Sequence, residues 1–388
     1  MIYLDNASTS FPKPREVSFA IQEYLNNYGV TPGRGSYYLA HKAEELVIQT
    51  REMLAQLIGA KKETHVVFTQ NATHSLNLVI KGFLKQGDHV LICSYSHNSV
   101  IRPIDTLKRK GLITYDIFEV NPDGSIDKNY FCSLIKENTR LVIGNHASNV
   151  IGVISQILDI APHCQSKNIR FMLDCTQSVG YASIDVDNMP IDFLAGTGHK
   201  TLFGPSGIGF LYIKNPRELE TLMEGGSGGN YSFSPFHPSN MPFKYEAGTP
   251  NTTCIAGLKG ALDYIAKISF EEISKKSMNL TKYAWEQLTQ IDEIVIYGTN
   301  EMKKKVPIIS FNVLGTLANE IAQQYANHGI CLRSGLQCTP IIHKQLKTIP
   351  TGTLRISTGH YNKVSDIDKF IQITKTIIQR AEYGKTCA

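Results

Sequence analysis

The chain has 388 residues, 42% hydrophobic and 19% charged, and its 39 basic and 34 acidic residues leave a net charge of +5. That length favours two domains over one core, and the composition excludes a disordered chain. The charges are scattered, which excludes a nucleic-acid arm; the densest basic patch, Lys303-Lys304-Lys305, reads as a solvated turn.

The opening Met1-Ile2-Tyr3-Leu4-Asp5 shows no secretory signal. No apolar run reaches the roughly 18 residues that predict a membrane span. Eight cysteines, at 93, 132, 164, 175, 254, 331, 338 and 387, form no CxxC pair and suggest no metal site. Dispersed cysteines fit a reducing, cytoplasmic setting, where most are expected to be buried as small hydrophobes.

Strand and helix patterns alternate from about residue 64 to 215. Val66-Val67-Phe68 is a short apolar run, and Leu76, Val79, Ile80, Phe83 and Leu84 follow at helical spacing. Further strands are predicted at His89–Cys93, Leu141–Ile143, Phe171–Leu173, Phe193–Ala195 and Gly209–Ile213. Nearly continuous apolar strands separated by helices predict an α/β fold whose mainly parallel sheet is covered on both faces. Gly225-Gly226-Ser227-Gly228-Gly229 opens a long Gly-, Ser- and Pro-rich loop that runs to about Pro242. Helical patterns then dominate to about 290. Strand candidates follow at Ile308–Phe311 and Leu354–Ile356. A last helix shows Val364, Ile367, Phe370, Ile371, Thr374, Ile377 and Ile378 on one face. These elements predict a smaller α+β domain near the C-terminus.

Several strand ends carry chemistry. Thr197-Gly198-His199-Lys200 follows a buried strand and precedes a glycine-rich turn, which is where α/β sheets place ligands. A lysine there can attack an aldehyde if burial keeps its amine neutral; a surface lysine in a loop is the alternative. Asp174 follows Phe171–Leu173, 26 residues before Lys200. A carboxylate so placed can hold the pyridine nitrogen of pyridoxal phosphate protonated, although Asp is also a common helix cap. Gln177 could donate to the ring oxygen. Asn71-Ala72-Thr73 stands between a strand and an amphipathic helix, so it either cradles a phosphate at the helix N-terminus or simply caps that helix. His97, after the strand ending at Cys93, either stacks on the ring or is structural.

These residues resemble the cysteine desulfurases of the class V aminotransferase group, which belong to pyridoxal-phosphate fold type I. The resemblance runs nearly end to end, through Tyr3–Thr9, Asn71–Asn77, His146–Gly152, Asp174–Gly180, Gly198–Gly209, Glu246–Asn251, Arg333–Pro340 and Thr353–Asn362. It implies a large domain over 13–245 with a mainly parallel sheet of the seven-stranded type. Residues 1–12 would join 246–388 in a smaller α+β domain. It implies Lys200 as the lysine that carries the cofactor and shuttles protons, with Asp174 on the pyridinium, Gln177 on the ring oxygen and His97 stacked on the ring. Ala72, Thr73, Thr197 and His199 would hold the phosphate. Gly248 and Thr249 would reach the phosphate of a second subunit in a homodimer, with the Gly225–Gly229 loop near the shared entrance. Asn149 and Arg355 would orient the substrate, Arg355 as a two-point fork on its carboxylate, with Arg333 nearby.

Cys338 lies where the resembling family carries the thiol that accepts sulfur from L-cysteine, leaving a persulfide and alanine. That attack needs a thiolate, which a cationic neighbourhood favours. The short, proline-ended segment is similar to the compact-loop group, whose persulfide passes to an acceptor protein. Two departures concern the substrate pocket. Leu336 and Gln337 precede the cysteine where relatives often have histidine, and Tyr37 or Tyr38 stands near Gly33-Arg34-Gly35 where relatives often have another. Selenocysteine lyase, another C–S lyase and an aminotransferase of the same fold stay open as alternatives.

Overall fold

The computed structural model describes residues 1–227 and 233–386, with side chains described as far as Arg380; Gly228, Gly229 and Cys387 lie outside the described residues. Its largest element is a seven-stranded sheet of β2 (Val66–Thr69), β3 (Asp88–Cys93), β4 (Ile113–Phe118), β5 (Thr139–Asn145), β6 (Arg170–Asp174), β7 (Phe193–Thr197) and β8 (Gly209–Ile213), following the two-residue β1 (Ile2–Tyr3). The spatial order is β2-β8-β7-β6-β5-β3-β4. The β4-β3-β5-β6-β7 run is parallel, and β8 is reversed between β7 and β2. Both faces are dry: Val90, Leu91, Ile92 and Cys93 are all fully buried in succession. Helices cover both faces, as a parallel sheet with connecting helices requires.

The C-terminal part builds a second core. β9 (Ile294–Tyr297), β10 (Ile308–Val313) and β12 (Leu354–Ser357) form an antiparallel sheet in the order β12-β10-β9, while β11 (Ile330–Cys331) pairs with β1. Phe311, Tyr325, Leu354, Ile356, Ile367 and Phe370 fill this core, and Leu4 from the start of the chain joins them. The helix Thr252–Ile268 packs Ile255, Leu258 and Ile265 into the first core instead. The last helix buries Ile367, Phe370, Thr374 and Ile377 as its spacing predicts, whereas Val364 at its start is exposed.

Two expectations are corrected. Of the described cysteines only Cys93, Cys164 and Cys175 are buried. The Lys303–Lys305 patch is not wholly solvated either. Lys304 pairs at the surface with Glu301, but Lys305 is buried, because it bridges Val153 in antiparallel fashion and its side chain is sent inward. Its Nζ donates to the Ile151 carbonyl at 2.9 Å and sits 4.7 Å from the centroid of the Trp285 ring. Burial lowers the Lys305 pKa to about 7 from 10.5. The unfolded chain therefore binds more protons than the folded one between those values, and stability rises with pH across that window. Unfolding in denaturant should show the wild type gaining on Lys305→Met, by up to about 5 kcal/mol, as pH rises through it. A pH-independent difference contradicts the burial of this amine.

Among the described residues no helix is long and apolar enough to cross a membrane, and no cluster of three or more His, Cys, Asp or Glu is placed to hold a metal ion.

Candidate active site

The C-terminal ends of the sheet strands converge on one cavity of about 390 Å³, within the range of small-molecule sites. β2 leads to Asn71, whose side chain caps the helix Ala72–Phe83 by accepting from the His74 N–H at 3.0 Å. The cap leaves the N–H groups of Ala72 and Thr73 without an acceptor among the described residues, so capping and an open anion site coexist. Glycine is required at 209, where a Cβ would stand 2.7 Å from the Asn71 backbone. The Thr73 hydroxyl meets the Ser99 hydroxyl at 2.7 Å. Ser99 in turn fixes His97: its N–H donates to His97 Nδ1 at 3.1 Å, and its hydroxyl lies 2.8 Å from the same nitrogen. His97 thus caps the helix Asn98–Arg109 while its ring lines the cavity. Burial lowers its pKa, and with Nδ1 accepting, the neutral ring carries its proton on Nε2.

β6 ends on Asp174, which is buried, lines the cavity and accepts from the Thr176 N–H at 3.0 Å. Cys175 turns the other way, as strand alternation requires. Its thiol donates to the Ala195 carbonyl at 3.1 Å, and burial pushes its pKa well up. Gln177 uses one N–H on the Ala7 carbonyl at 2.9 Å. β7 leads to Lys200. Its amine makes no hydrogen bond among the described residues, and burial with the nearby Arg355 lowers its pKa to about 8, against the opposing charges of Asp174 and Asp5. His199 is lowered to about 4 by burial and the neighbouring lysines 200 and 13. Thr197 Oγ1, His199 Nδ1, Thr176 Oγ1 and Asn145 Oδ1 are buried without partners among the described residues. Buried polar atoms are costly to leave unpaired, and all four residues line this cavity.

The C-terminal part supplies the opposite wall. Arg355 is buried on β12, and its Nη1 donates to the Asn149 carbonyl at 2.8 Å. Its Nη2 donates to Asp5 at 2.8 Å and to the Ser8 hydroxyl at 2.9 Å, leaving Nε as a buried donor without a partner among the described residues. The fork expected for a substrate is therefore largely committed to the protein. Arg333 also lines the cavity, and its side chain has no ion-pair partner among the described residues. Cys338 is exposed at the cavity mouth. It and Gln337 have φ of 61° and 40°, a left-handed backbone that costs residues with a Cβ roughly 1–2 kcal/mol each.

A family model described as aminotransferase class-V matches residues 2–370. A relative from Synechocystis sp., named a probable cysteine desulfurase, is 32% identical over 388 residues, covering 98% of this chain and 91% of its own. Another of the same name from Pyrococcus abyssi is 32% identical over 387 residues, covering 98% and 94%. The chain belongs to the cysteine desulfurase family of class-V aminotransferases. A solved apo structure of a cysteine desulfurase from Thermococcus onnurineus superposes with a TM-score of 0.90 at 32% identity, covering 97% of this chain and 94% of that one.

Within this cysteine desulfurase fold, the cavity gathers Ala72, Thr73, His97, Asn149, Asp174, Gln177, Thr197, His199, Lys200, Arg333, Cys338 and Arg355. It does not gather Gly248 and Thr249. Gly248 lines a separate cavity with Arg34 and Arg51, and its N–H donates to Gly226 at 2.6 Å. Tyr37 and Tyr38 are exposed and do not line the site. Sequence reasoning gave no role to Asp5, Ser8, Ser99 or Asn145. The first two lie in a block that resembles the family's opening, but nothing local ties them to Arg355.

Proposed function

We propose that this chain is a pyridoxal-phosphate-dependent cysteine desulfurase that converts L-cysteine to L-alanine and keeps the sulfur on Cys338. The observation that carries the reading is one cavity holding a desolvated lysine, a buried carboxylate and an exposed thiol: Lys200, Asp174 and Cys338.

The donor set fits the cofactor. The open N–H groups of Ala72 and Thr73, with the unpartnered Thr197 hydroxyl and His199 Nδ1, suit a phosphate at a helix N-terminus. Asp174 would hold a proton on the pyridine nitrogen, the N–H of Gln177 not given to Ala7 would serve the ring oxygen, and His97 would contact the ring. When bound, pyridoxal phosphate supplies the electron sink that weakens bonds at the substrate α-carbon. Lys200 would anchor it and move protons at the substrate α- and β-carbons. Arg333 and the Nε of Arg355 attract the substrate carboxylate, and Asn149 orients it. Cys338 Sγ attacks the substrate sulfur. The carbon–sulfur bond breaks, a sulfur–sulfur bond forms, the β-carbon gains a proton, and the substrate carbon is reduced as the enzyme thiol is oxidised to a persulfide. An acceptor protein then takes the sulfur.

Incubating the purified protein with L-cysteine and a reducing thiol should give alanine and sulfide in equal amounts. Pyruvate and ammonia as products point to a C–S lyase, and dependence on a 2-oxo acid points to an aminotransferase. Cofactor loading should also follow the Lys200 amine. A neutral amine is the nucleophile, so loading of the stripped protein should slow about tenfold per pH unit below about 8 and level off above it. Flat loading between pH 6 and 9 contradicts this role for Lys200. We further propose a homodimer in which Gly248 and Thr249 complete the second subunit's phosphate site; an active monomer in sedimentation contradicts it.

A further inference from the structure

The segment carrying Cys338 is held by a buried polar network that the desulfurase chemistry leaves unexplained. Gln337 is buried beside the exposed Cys338. Its Nε2 donates to the Thr353 carbonyl at 2.7 Å, and its Oε1 faces His343 Nε2 at 3.1 Å. The carbonyl of Thr353 can only accept, so the amide orientation is fixed. His343 must then carry its proton on Nε2, and its Nδ1 accepts from the Thr348 hydroxyl at 2.8 Å. Burial lowers the His343 pKa to about 4, in keeping with a neutral ring. Every polar atom of the Gln337 and His343 side chains is thereby matched in sense, donor to acceptor.

The main chain of the same two residues is tied from the other side. Asn149 Nδ2 donates to the Gln337 carbonyl at 2.7 Å, and the Asn98 N–H donates to the Cys338 carbonyl at 2.8 Å. Left-handed backbone at residues other than glycine persists only where the surroundings over-determine it. Without the side-chain ties, rotation of Gln337 or Cys338 to negative φ removes the strain and swings the Cys338 Cβ–Sγ bond.

We propose that Gln337, backed by His343, is a positioning residue that presets the Cys338 thiol at the cavity mouth. The inference rests on the reading that Cys338 accepts sulfur. It implies that a neutral amide network, and no imidazole directly before the cysteine, orients the nucleophile in this chain.

The test uses the cofactor-loaded protein and two readouts. One is the single-turnover rate of persulfide formation on Cys338 after mixing with L-cysteine. The other is α-proton exchange of L-alanine in D2O, which needs Lys200 and the cofactor but no thiol. Gln337→Leu is expected to slow persulfide formation roughly 10- to 100-fold while leaving L-alanine exchange within about twofold of wild type. His343→Leu should show the same selective loss, and the double variant should be no slower than the slower single variant, because the two act through one network. If Gln337→Leu does not fold, Thr348→Val, which removes only the hydroxyl behind His343, should give a smaller selective loss. Unchanged persulfide formation in a folded variant, or equal losses in both readouts, overturns the inference. Absence of persulfide on Cys338 in the wild type instead overturns the desulfurase reading on which it rests.

Discussion

Lys200→Ala should abolish turnover of L-cysteine while leaving the fold intact. The Lys200 amine makes no hydrogen bond among the described residues, and it feels the charges of Arg355, Asp174 and Asp5 nearby. Its removal breaks no hydrogen bond among the described residues, and the repulsion with Arg355 that is relieved offsets the attraction to Asp174 and Asp5 that is lost, so the melting temperature should change little. The loss is chemical. No other lysine among the described residues lines the cavity, so none of them can substitute as the cofactor's anchor or as the group that moves protons at the substrate. The cofactor can still bind through its phosphate and Asp174. Borohydride reduction followed by peptide mapping should place the pyridoxyl label on Lys200 in the wild type. A label on a different lysine ends the assignment.

Asp174→Asn should lower turnover by at least about two orders of magnitude, which corresponds to roughly 2.7 kcal/mol of transition-state stabilisation. The substitution isolates charge from shape. An asparagine oxygen can still accept from the Thr176 N–H, the bond Asp174 makes at 3.0 Å, so the turn after β6 is kept. What is lost is a buried anion able to hold a proton on a pyridine nitrogen. Near wild-type kinetics in the asparagine variant remove Asp174 from the mechanism.

The large sheet was legible because its buried strands are nearly continuous apolar runs, as in His89–Cys93 and Gly209–Ile213. β4 escaped because it is an edge strand: only its first and last residues, Ile113 and Phe118, are buried, and Thr114 and Asp116 interrupt the pattern. β9 is likewise an edge strand, and β1 and β11 are too short to show a period. Within the site, residues at or a few positions past a strand end were visible: Asp174, Lys200 and Thr73. Partners brought in from far along the chain were not visible. Asp5 reaches Arg355 across 350 residues, and Ser99 joins His97 to Thr73 across 26. Nor does sequence reveal that Lys305 turns inward while Lys304 beside it stays in water, because one strand-like bridge to Val153 decides it.

The central claim is that Cys338 takes sulfur from L-cysteine. PLP chemistry at the α-carbon does not by itself remove the substrate sulfur as sulfane; a nucleophile has to receive it, and a thiolate is the best one at neutral pH. Among the described residues Cys338 is the cysteine that lines the cavity, together with Lys200 and Arg333, whereas Cys175 is buried with its thiol on the Ala195 carbonyl. The measurement is to incubate the protein with L-cysteine, alkylate it, and locate added sulfur by peptide mass spectrometry. The structure predicts one extra sulfur atom on the Cys338 peptide, with both that sulfur and alanine formation lost in Cys338→Ala. Undiminished alanine formation by Cys338→Ala, or the extra sulfur on another cysteine, contradicts it.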